Sequence, residues 1–517
     1  MDLLIRNGLV ADGTGAAPYR ADVGITGGRL EAVGDLRAAT AAATIDASGH
    51  VVSPGFIDSH THGDVAMFLP DAQLDVKTAE LRQGVTTQVT GNCGFSAFPA
   101  DGPHADEVGA LMGTLMGEGP RPWPDLAAYR AAVADAGMFT NVAALVGHGS
   151  IRAAVVGFAD RAPTSDELRA MVRLAAGALA QGAVGLSTGL TYAPGVYSRT
   201  EELVSIARTL AGTGRPYITH MRGEGGGDMV GSVHEALRIG REAGVSVHIS
   251  HHKASGKKNW GRTAETLALI DAARNAGGDV TVDVYPYTAG STLLHSILPP
   301  WAQADGIGAM VARLGDRDTR ARIKRDFGDN LPGWENIVIA GCAGRPELEG
   351  RRADELGADP VEAVFDLIAE QQGRVTMIAH TMREDDVERV VAHPASMIGS
   401  DAIPLPGKPH PRLAGTFARI LGRYVRERKL LDLQTAVWKM TGFPAQRFGL
   451  RDRGVLMRGM AADVVVFDPA TVIDRATYQQ PLLTPLGISA VIVNGHVAVR
   501  DGELSGLRSG EMLTASR

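Results

Sequence analysis

The sequence predicts an α/β protein: a (β/α)8, TIM-like barrel with a small β-sandwich domain built from both chain ends and an insertion over the barrel mouth. Three observations predict this fold. Eight short apolar segments recur through the middle of the chain, helical stretches separate most of them, and hairpin signals occupy both ends. Apolar strands that alternate with helices are typical of a parallel sheet, and eight of them suit a closed barrel better than an open sheet.

The two chain ends share one texture. Residues 1–54 and 450–517 contain short apolar or alternating runs around turn pairs such as Asn-Gly, Asp-Gly and Gly-Gly. These pairs favour β-hairpins. Two all-β pieces at opposite ends of one chain form one small domain if the ends meet, and the alternative is two separate β appendages. We expect residues 1–54 and 450–517 to build the β-sandwich together.

The barrel is expected over residues 55–449. Its strand candidates, in chain order, are GFIDSHTH, TTQVTGN, NVAALVGH, VGLSTGL, PYITHM, VSVHISH, VTVDVYPY and SMIGSD. Residues 165–182 and 229–244 are two of the helical stretches between them. Residues from about 296 to 345 interrupt this order with a Pro-Pro-Trp turn and a charged helix, so we expect them to form the insertion.

Composition limits the classes of function. The chain has 517 residues, a formal net charge of −7 and two cysteines. A net charge of this size and sign does not indicate a basic surface for binding nucleic acid. Two cysteines are too few for a framework of disulfide bonds. The first residues lack the apolar core of a signal peptide, and no apolar run of about 18 residues predicts a membrane span. We expect a cytoplasmic protein without nucleic-acid or membrane partners; the sequence sets no oligomeric state.

Polar side chains close several of the predicted strands. In a barrel of this kind the chemistry lies at the C-terminal strand ends, and each of these groups would be costly to bury without a partner. A shared metal ion is the economical explanation. Residues i and i+2 of a strand face the same side, so a His-x-His pair can reach one point. The side chains concerned are His60, His62, Cys93, His220, His251 and Asp401.

Cys93 admits several interpretations. It follows a β-branched strand, boxed between Asn92 and Gly94. A disulfide with Cys342 is disfavoured in a reducing compartment. A cysteine nucleophile, a metal ligand and a plain core thiol stay open on the residues alone.

The sequence resembles the N-acyl-D-amino-acid deacylase (D-aminoacylase) group of the amidohydrolase superfamily. The segments that carry the resemblance are PGFIDSHTHGD, GVTTQVTGNCGFS, GLSTGLTYAPG, YITHMR, ISHHK, DVYPYTAGST and MIGSDAIPLPGKPHPRLAGTF. The paired histidines are common to the superfamily, whereas the cysteine and PHPR motifs are specific to the group. The resemblance covers essentially the full length. It implies zinc-dependent hydrolysis of the amide bond of N-acyl-D-amino acids, small-molecule substrates, to a carboxylate and a free D-amino acid.

The resemblance also implies a role for Cys93. Many amidohydrolases bridge two metals with a carboxylated lysine on the fourth strand, where this chain has Ser187. The group replaces that lysine with a cysteine on the second strand. A tight Zn²⁺ site of Cys93, His220 and His251 follows, with an open fourth position that is typical of catalytic zinc. Strand alternation does not decide between His251 and His252, and the pattern of the group selects His251.

The remaining strand-end residues receive implied roles as well. His60 and His62 would belong to a second, weaker metal site. Asp401 would be the general base and acid, taking a proton from zinc-activated water and returning it to the leaving nitrogen.

The substrate's free carboxylate needs a cationic partner. Arg412, in KPHPRLAG, suits bidentate capture of a carboxylate. Lys253 and Tyr285 resemble its helpers, and the pattern of the group adds Tyr192 and Ser291. No further cationic cluster stands out, so neutral hydrophobic D-amino acids are the expected substrates.

Two other functions are weighed against this one. A related amidohydrolase could act on D-dipeptides or cyclic amides, although the missing lysine disfavours the ring-opening enzymes and Arg412 favours a free carboxylate. A non-catalytic barrel of the same fold would serve as a binding protein. Retention of all the metal-site candidates together with Asp401 disfavours it.

Overall fold

In the computed structural model the chain alternates between strands and helices, and the residues described are 1–116, 120–225, 228–327 and 332–515. The expectation of an α/β protein is confirmed. The strands are β1 (Leu3–Val10), β2 (Tyr19–Thr26), β3 (Arg29–Gly34), β4 (Ala43–Asp46), β5 (Val51–Pro54), β6 (Phe56–Asp58), β7 (Val85–Thr90), β8 (Asn141–Ala144), β9 (Val146–Gly147), β10 (Leu186–Gly189), β11 (Tyr217–His220), β12 (Val247–Ile249), β13 (Val280–Val284), β14 (Gly290–Leu293), β15 (Ile337–Gly341), β16 (Thr376–Ala379), β17 (Ser396–Ile398), β18 (Val464–Phe467), β19 (Ile488–Val493), β20 (His496–Arg500), β21 (Glu503–Leu504) and β22 (Met512–Leu513).

Helices lie between most of these strands. They begin where the local sequence supplies caps: before α5, for example, the hydroxyl of Thr164 accepts from the N–H of Glu167 while the Glu167 carboxylate accepts from the N–H of Thr164. The α-helices are α1 (Leu74–Arg82), α2 (Ala105–Met116), α3 (Leu126–Ala136), α4 (His148–Val156), α5 (Ser165–Ala180), α6 (Thr200–Ala207), α7 (Met229–Ala243), α8 (Thr263–Asn275), α9 (Pro300–Gln303), α10 (Gly306–Gly315), α11 (Arg317–Asp326), α12 (Pro360–Glu370), α13 (Glu384–Ala392), α14 (Arg412–Arg419), α15 (Leu433–Met440) and α16 (Gly442–Arg447).

The two chain ends share one sheet. Its nine strands follow the order β21-β20-β19-β18-β5-β1-β2-β3, with β4 paired to β1. The contact between the ends is the antiparallel pair of β18 and β5. The last strand, β22, instead pairs in parallel with β8, so this part of the expected 450–517 segment lies outside the terminal sheet. The bounds 1–54, 55–449 and 450–517 stay a prediction.

The middle of the chain supplies a succession of parallel strands. Strand β6 pairs with β7 and β7 with β8. Strand β9 follows β8 along the chain and opens the order β9-β10-β11-β12-β13-β17. A parallel bridge between Thr61 and Ala402, just beyond β6 and β17, joins the last strand of the succession to the first. All these strands are fully buried, and their C-terminal ends lie together.

A small body interrupts the succession between β13 and β17. Strands β14, β16 and β15 form an antiparallel three-stranded sheet. This sheet and its helices have a hydrophobic core of their own, to which Leu294, Ile323 and Phe365 belong. The body extends beyond the expected bounds of about 296–345 on both sides, from β14 to β16. Within the described ranges, no helix combines the length and the apolar character needed to cross a membrane.

Candidate metal centre

Six side chains with metal-binding or acid–base chemistry meet at the C-terminal ends of the parallel strands. All six residues are buried. Each follows directly from the strand that carries it, so the parallel arrangement brings together residues more than 300 positions apart. The six are His60 and His62 after β6, Cys93 after β7, His220 at the end of β11, His251 after β12 and Asp401 after β17.

Three imidazole nitrogens surround the thiol of Cys93. Its Sγ lies 3.3 Å from His251 Nε2, 3.4 Å from His60 Nε2 and 3.6 Å from His220 Nδ1. In tetrahedral zinc, with Zn–S bonds of about 2.3 Å and Zn–N bonds of about 2.0 Å, a sulfur and a nitrogen ligand are about 3.5 Å apart. The donor atoms of Cys93, His220 and His251 therefore fit a zinc ion, and thiolate with imidazole suits that metal.

A second set of donors adjoins the first. Asp401 Oδ1 lies 3.4 Å from His60 Nε2 and 3.3 Å from His62 Nε2. One donor atom each of His60, Cys93, His251 and Asp401 lie within 4.8 Å of one another. The buried Nδ1 of His62 has no hydrogen-bond partner among the residues the structure describes. Asp401 thus lies among the candidate ligands as well as beside the place where a base is needed.

The backbone at these strand ends is strained. Cys93, His251 and Asp401 have φ angles of +52°, +35° and +53°, a region that residues other than glycine seldom adopt. Such strain persists only when the surroundings fix it, and it is concentrated at functional sites. Close packing fixes Asp401: a Cβ on the neighbouring Gly399 would meet His60 Cβ at 2.7 Å. A side chain at position 399 would push the two elements apart.

Ser187, on β10, supports the turn that carries the cysteine. Its Oγ accepts a hydrogen bond from the N–H of Gly94 at 3.1 Å and donates one to the carbonyl of Gly91. The two bonds hold both sides of the turn that presents Cys93. A residue without metal chemistry thereby positions the thiol.

Two buried carboxylates that the sequence reasoning missed hold the histidines. Asp283 Oδ2 lies 3.2 Å from His60 Nδ1 and 2.8 Å from His248 Nε2, and Oδ1 accepts from the N–H of His251 at 2.8 Å. Glu224 lies beside His220 and His251. A carboxylate in the middle of the buried run VTVDV was a signal in the sequence, because such a group needs a partner.

Charge at the centre lowers the pKa of the Cys93 thiol and of the Asp401 carboxyl. Burial alone would raise the pKa of Cys93, but the neighbouring His60 and His251 outweigh it and hold that pKa well below its ordinary value. The thiolate is the form that binds a metal. Burial would likewise raise the pKa of Asp401, whereas Arg412 and His251 hold it well below its usual range. Asp401 is therefore a carboxylate in the folded protein.

An anion-binding group lies on the other side of Asp401. Arg412 is fully buried at the start of α14. Its Nη1 lies 2.8 Å from Asp401 Oδ2, and its Nη2 donates to the carbonyl of Ser291 at 3.1 Å. The guanidinium carbon of Arg412 is 4.6 Å from the centroid of the Tyr285 ring. Lys253 Nζ is 5.8 Å from the same ring centroid.

Donor atoms remain free in this group. The hydroxyl of Tyr285 and the Nε of Arg412 are buried without a hydrogen-bond partner in the described part of the chain, whereas Nη1 of Arg412 is held by its ion pair with Asp401. Unsatisfied buried donors of this kind call for an acceptor from outside the chain. A carboxylate of a bound small molecule fits a buried guanidinium that has a free N–H group and a free hydroxyl beside it.

Tyr192 and His252 complete the set of sequence candidates. The Tyr192 ring meets His220 edge-on with centroids 4.9 Å apart, and its hydroxyl lies 2.8 Å from Thr292 Oγ1. His252, the alternative to His251, points its Nε2 at Thr266 Oγ1, 2.8 Å away on α8. The structure thus brings the eleven predicted site residues around one centre, with Ser291 contributing its carbonyl.

Comparison with known proteins gives near full-length matches. The sequence matches the Amidohydrolase family over residues 43–499. It is 42% identical to the D-aminoacylase of Alcaligenes xylosoxydans xylosoxydans, over 99% of this chain and 97% of that protein. It is 43% identical to the N-acyl-D-glutamate deacylase of the same organism, over 96% and 93% of the two chains. The structure of N-acyl-D-glutamate deacylase from Bordetella bronchiseptica, complexed with zinc and a phosphonate mimic of the tetrahedral intermediate, matches with a TM-score of 0.84 and 40% identity over 100% of both chains.

Proposed function

The chain belongs to the amidohydrolase family, and from that premise we propose that it is a zinc-dependent hydrolase of N-acyl-D-amino acids. The products are a carboxylate and a free D-amino acid. One observation carries the proposal: the donors around Cys93 and the buried guanidinium of Arg412, whose Nε has no partner in the described part of the chain, lie on opposite sides of Asp401. Such a site can hold the amide and the carboxylate of one small substrate together.

Cys93, His220 and His251 would hold the catalytic zinc, and His60, His62 and Asp401 a second, weaker site. We take the succession of parallel strands as the (β/α)8 barrel, whose strand ends carry the chemistry. When bound, the zinc supplies a Lewis acid that polarises a carbonyl and lowers the pKa of water to about 7.

The protein's own groups perform the proton transfers. The water oxygen attacks the acyl carbonyl carbon, and the amide C–N bond breaks. Asp401 accepts the proton that the water loses and delivers it to the leaving nitrogen. Its carboxylate form and its position between the histidines and Arg412 suit both steps.

The substrate is oriented by its carboxylate. Arg412 would bind that group, with Tyr285, Lys253 and the Ser291 carbonyl around it, and Tyr192 would border the substrate beside His220. A fixed carboxylate and a fixed acyl carbonyl leave one direction for the side chain. The site can therefore distinguish the two enantiomers, and the D preference is taken from the relatives.

An apolar cavity indicates which side chains fit. Its lining is mostly apolar and includes Phe95, Tyr192, Leu293 and Met310. Leu293 is two residues beyond Ser291 on β14, a rise of about 7 Å on the same face. Among the described residues that line the cavity there is no Lys, Arg, Asp or Glu. A carboxylate side chain would be buried here without a cation, so neutral D-amino acids are the substrates.

Substitution of Ile307 tests this preference. Ile307 lines the cavity and is half-buried, so a lysine there can place its ammonium in the cavity while its stem stays packed. We expect I307K to shift the ratio of kcat/KM for N-acetyl-D-methionine over N-acetyl-D-glutamate toward glutamate by about tenfold, since a charge-assisted hydrogen bond contributes about 1.5–3 kcal/mol. The matched control I307M should keep the wild-type ratio. A wild-type enzyme that prefers N-acetyl-D-glutamate would contradict the assignment.

Chiral chromatography of the products from racemic N-acetylmethionine tests the function as a whole. We expect the zinc-loaded protein to release D-methionine alone. Release of L-methionine, or of both enantiomers, would contradict the proposed orientation. Turnover of a cyclic amide without turnover of any N-acyl-D-amino acid would favour a ring-opening amidohydrolase, and protein that cannot be loaded with zinc would favour a binding protein.

A further inference from the structure

Glu224 places one carboxylate against three functional groups. It lies in the loop after β11, four residues beyond His220, and is 7% exposed. Its Oε1 is 3.0 Å from His251 Nδ1, and its Oε2 is 3.4 Å from His220 Nε2. The same Oε2 is 2.6 Å from Lys253 Nζ. No sequence pattern singled out this residue.

The ring nitrogens that face Glu224 indicate its effect on His220 and His251. Each of the two rings turns one nitrogen to Cys93 and the other to Glu224: His251 uses Nε2 and Nδ1, and His220 uses Nδ1 and Nε2. A neutral imidazole that binds a metal through one nitrogen carries its hydrogen on the other. Thr191 Oγ1, 3.0 Å from His220 Nε2, and Lys253 Nζ, 2.8 Å from His251 Nδ1, lie beside the same outer nitrogens. Glu224 is the anion within reach of both, so its charge favours the tautomers that carry hydrogen there and leave the inner nitrogens free.

This ring chemistry disfavours a metal ion at Glu224 itself. One donor atom each of His220, Glu224 and His251 are close enough for one ion. Such an ion would bind His220 Nε2 and His251 Nδ1, the outer ring nitrogens. These nitrogens carry the ring hydrogens when the inner nitrogens bind zinc, so each imidazole would have to be deprotonated to an anion. A carboxylate that stays beside the two N–H groups needs no such change.

Lys253 links the same carboxylate to the substrate side. Its Nζ contacts Glu224 Oε2 and donates to the His251 carbonyl at 3.0 Å, while the ammonium also lies near the Tyr285 ring. We propose that Glu224 is a positioning residue that couples the zinc ligands to the carboxylate-binding group. The proposal rests on the proposed function, since the second half of the coupling concerns its substrate.

The variant E224Q tests the coupling because it keeps the shape of the side chain and removes its charge. Zinc affinity of the purified protein is measured by competition with a chelator of known affinity. We expect the Kd for zinc to rise about 10–100-fold, the usual effect of losing an outer carboxylate. We also expect the KM for N-acetyl-D-methionine to rise at least tenfold in zinc-saturated enzyme, because Lys253 loses its partner.

E235Q is the matched control. Glu235 is also a carboxylate paired with a cation, Arg222, at 3.1 Å, and it is 17% exposed at its side chain. This variant should keep the wild-type zinc Kd and KM. K253M should raise KM and leave the zinc Kd within about twofold, because Glu224 and both histidines stay in place.

Each outcome decides the inference. A wild-type zinc Kd in E224Q overturns the positioning of the histidines, and a raised Kd with an unchanged KM overturns the link to Lys253. If E224Q fails to fold, E224D is measured in the same way, and a wild-type Kd there also overturns the inference. Zinc affinity does not depend on the substrate, so a protein that hydrolyses no N-acyl-D-amino acid would refute the proposed function while the zinc titration still tests Glu224.

Discussion

Asp401→Asn should lower kcat/KM for N-acetyl-D-methionine about 10²–10⁴-fold, the contribution expected of a general acid–base group. Asparagine keeps the size of the side chain and one acceptor oxygen, so its contact with His60 is preserved. It cannot take the proton from water or return it to the leaving nitrogen. Steady-state kinetics of the zinc-loaded variant measure the loss.

Zinc content separates this role from that of a ligand. Asp401 lies within 3.4 Å of His60 and His62 but is not among the ligands proposed for the tight ion. We expect D401N to retain about one zinc per chain after dialysis, and to lose metal only from the weaker site. Loss of the tight zinc together with the activity would place Asp401 among its ligands, and near wild-type turnover would remove it from the mechanism.

Local sequence patterns predicted which residues lie at the metal centre better than they predicted the contacts between those residues. The strand-end positions of His60, Cys93 and His251 could be predicted because each closes an apolar run, and the ends of parallel strands converge. The contact of Arg412 with Asp401 could not, since the resemblance gave these residues separate roles. Their side chains meet only after the chain turns from β17 into α14.

Of the two carboxylates that contact the histidines, Asp283 could have been predicted from the sequence and Glu224 could not. Asp283 carries a local signal, a charge inside a buried strand, whereas Glu224 lies in a glycine-rich loop that reads as exposed. Its burial follows from the pairing of β11 with β12, which sets Thr219 beside Ile249 and so brings the two following turns together. The extent of the small body between β13 and β17 is hidden for a similar reason: its core joins Leu294 to residues about 80 positions later, and local periodicity carries no such information.

Cys93→Ser should abolish tight zinc binding. Ring nitrogens of His60, His220 and His251 all lie within 3.6 Å of Sγ, so the thiolate occupies the centre of the candidate ligands. Removing a direct ligand should weaken zinc by more than the about 10–100-fold expected for an outer carboxylate. We also expect the activity at stoichiometric zinc to fall to background, measured as release of D-methionine, because both the Lewis acid and the activated water depend on the ion.

Cys342→Ser is the matched control, because the chain offers a second buried, free thiol in different surroundings. Cys342 lies in the core of the small body, and burial raises its pKa to about 11, so it remains a neutral thiol. The same change of sulfur to oxygen there should leave the zinc Kd at its wild-type value, whatever it costs in stability. Equal zinc binding by the two variants would contradict a ligand role for Cys93. Loss confined to Cys93→Ser would identify this thiol as a zinc ligand.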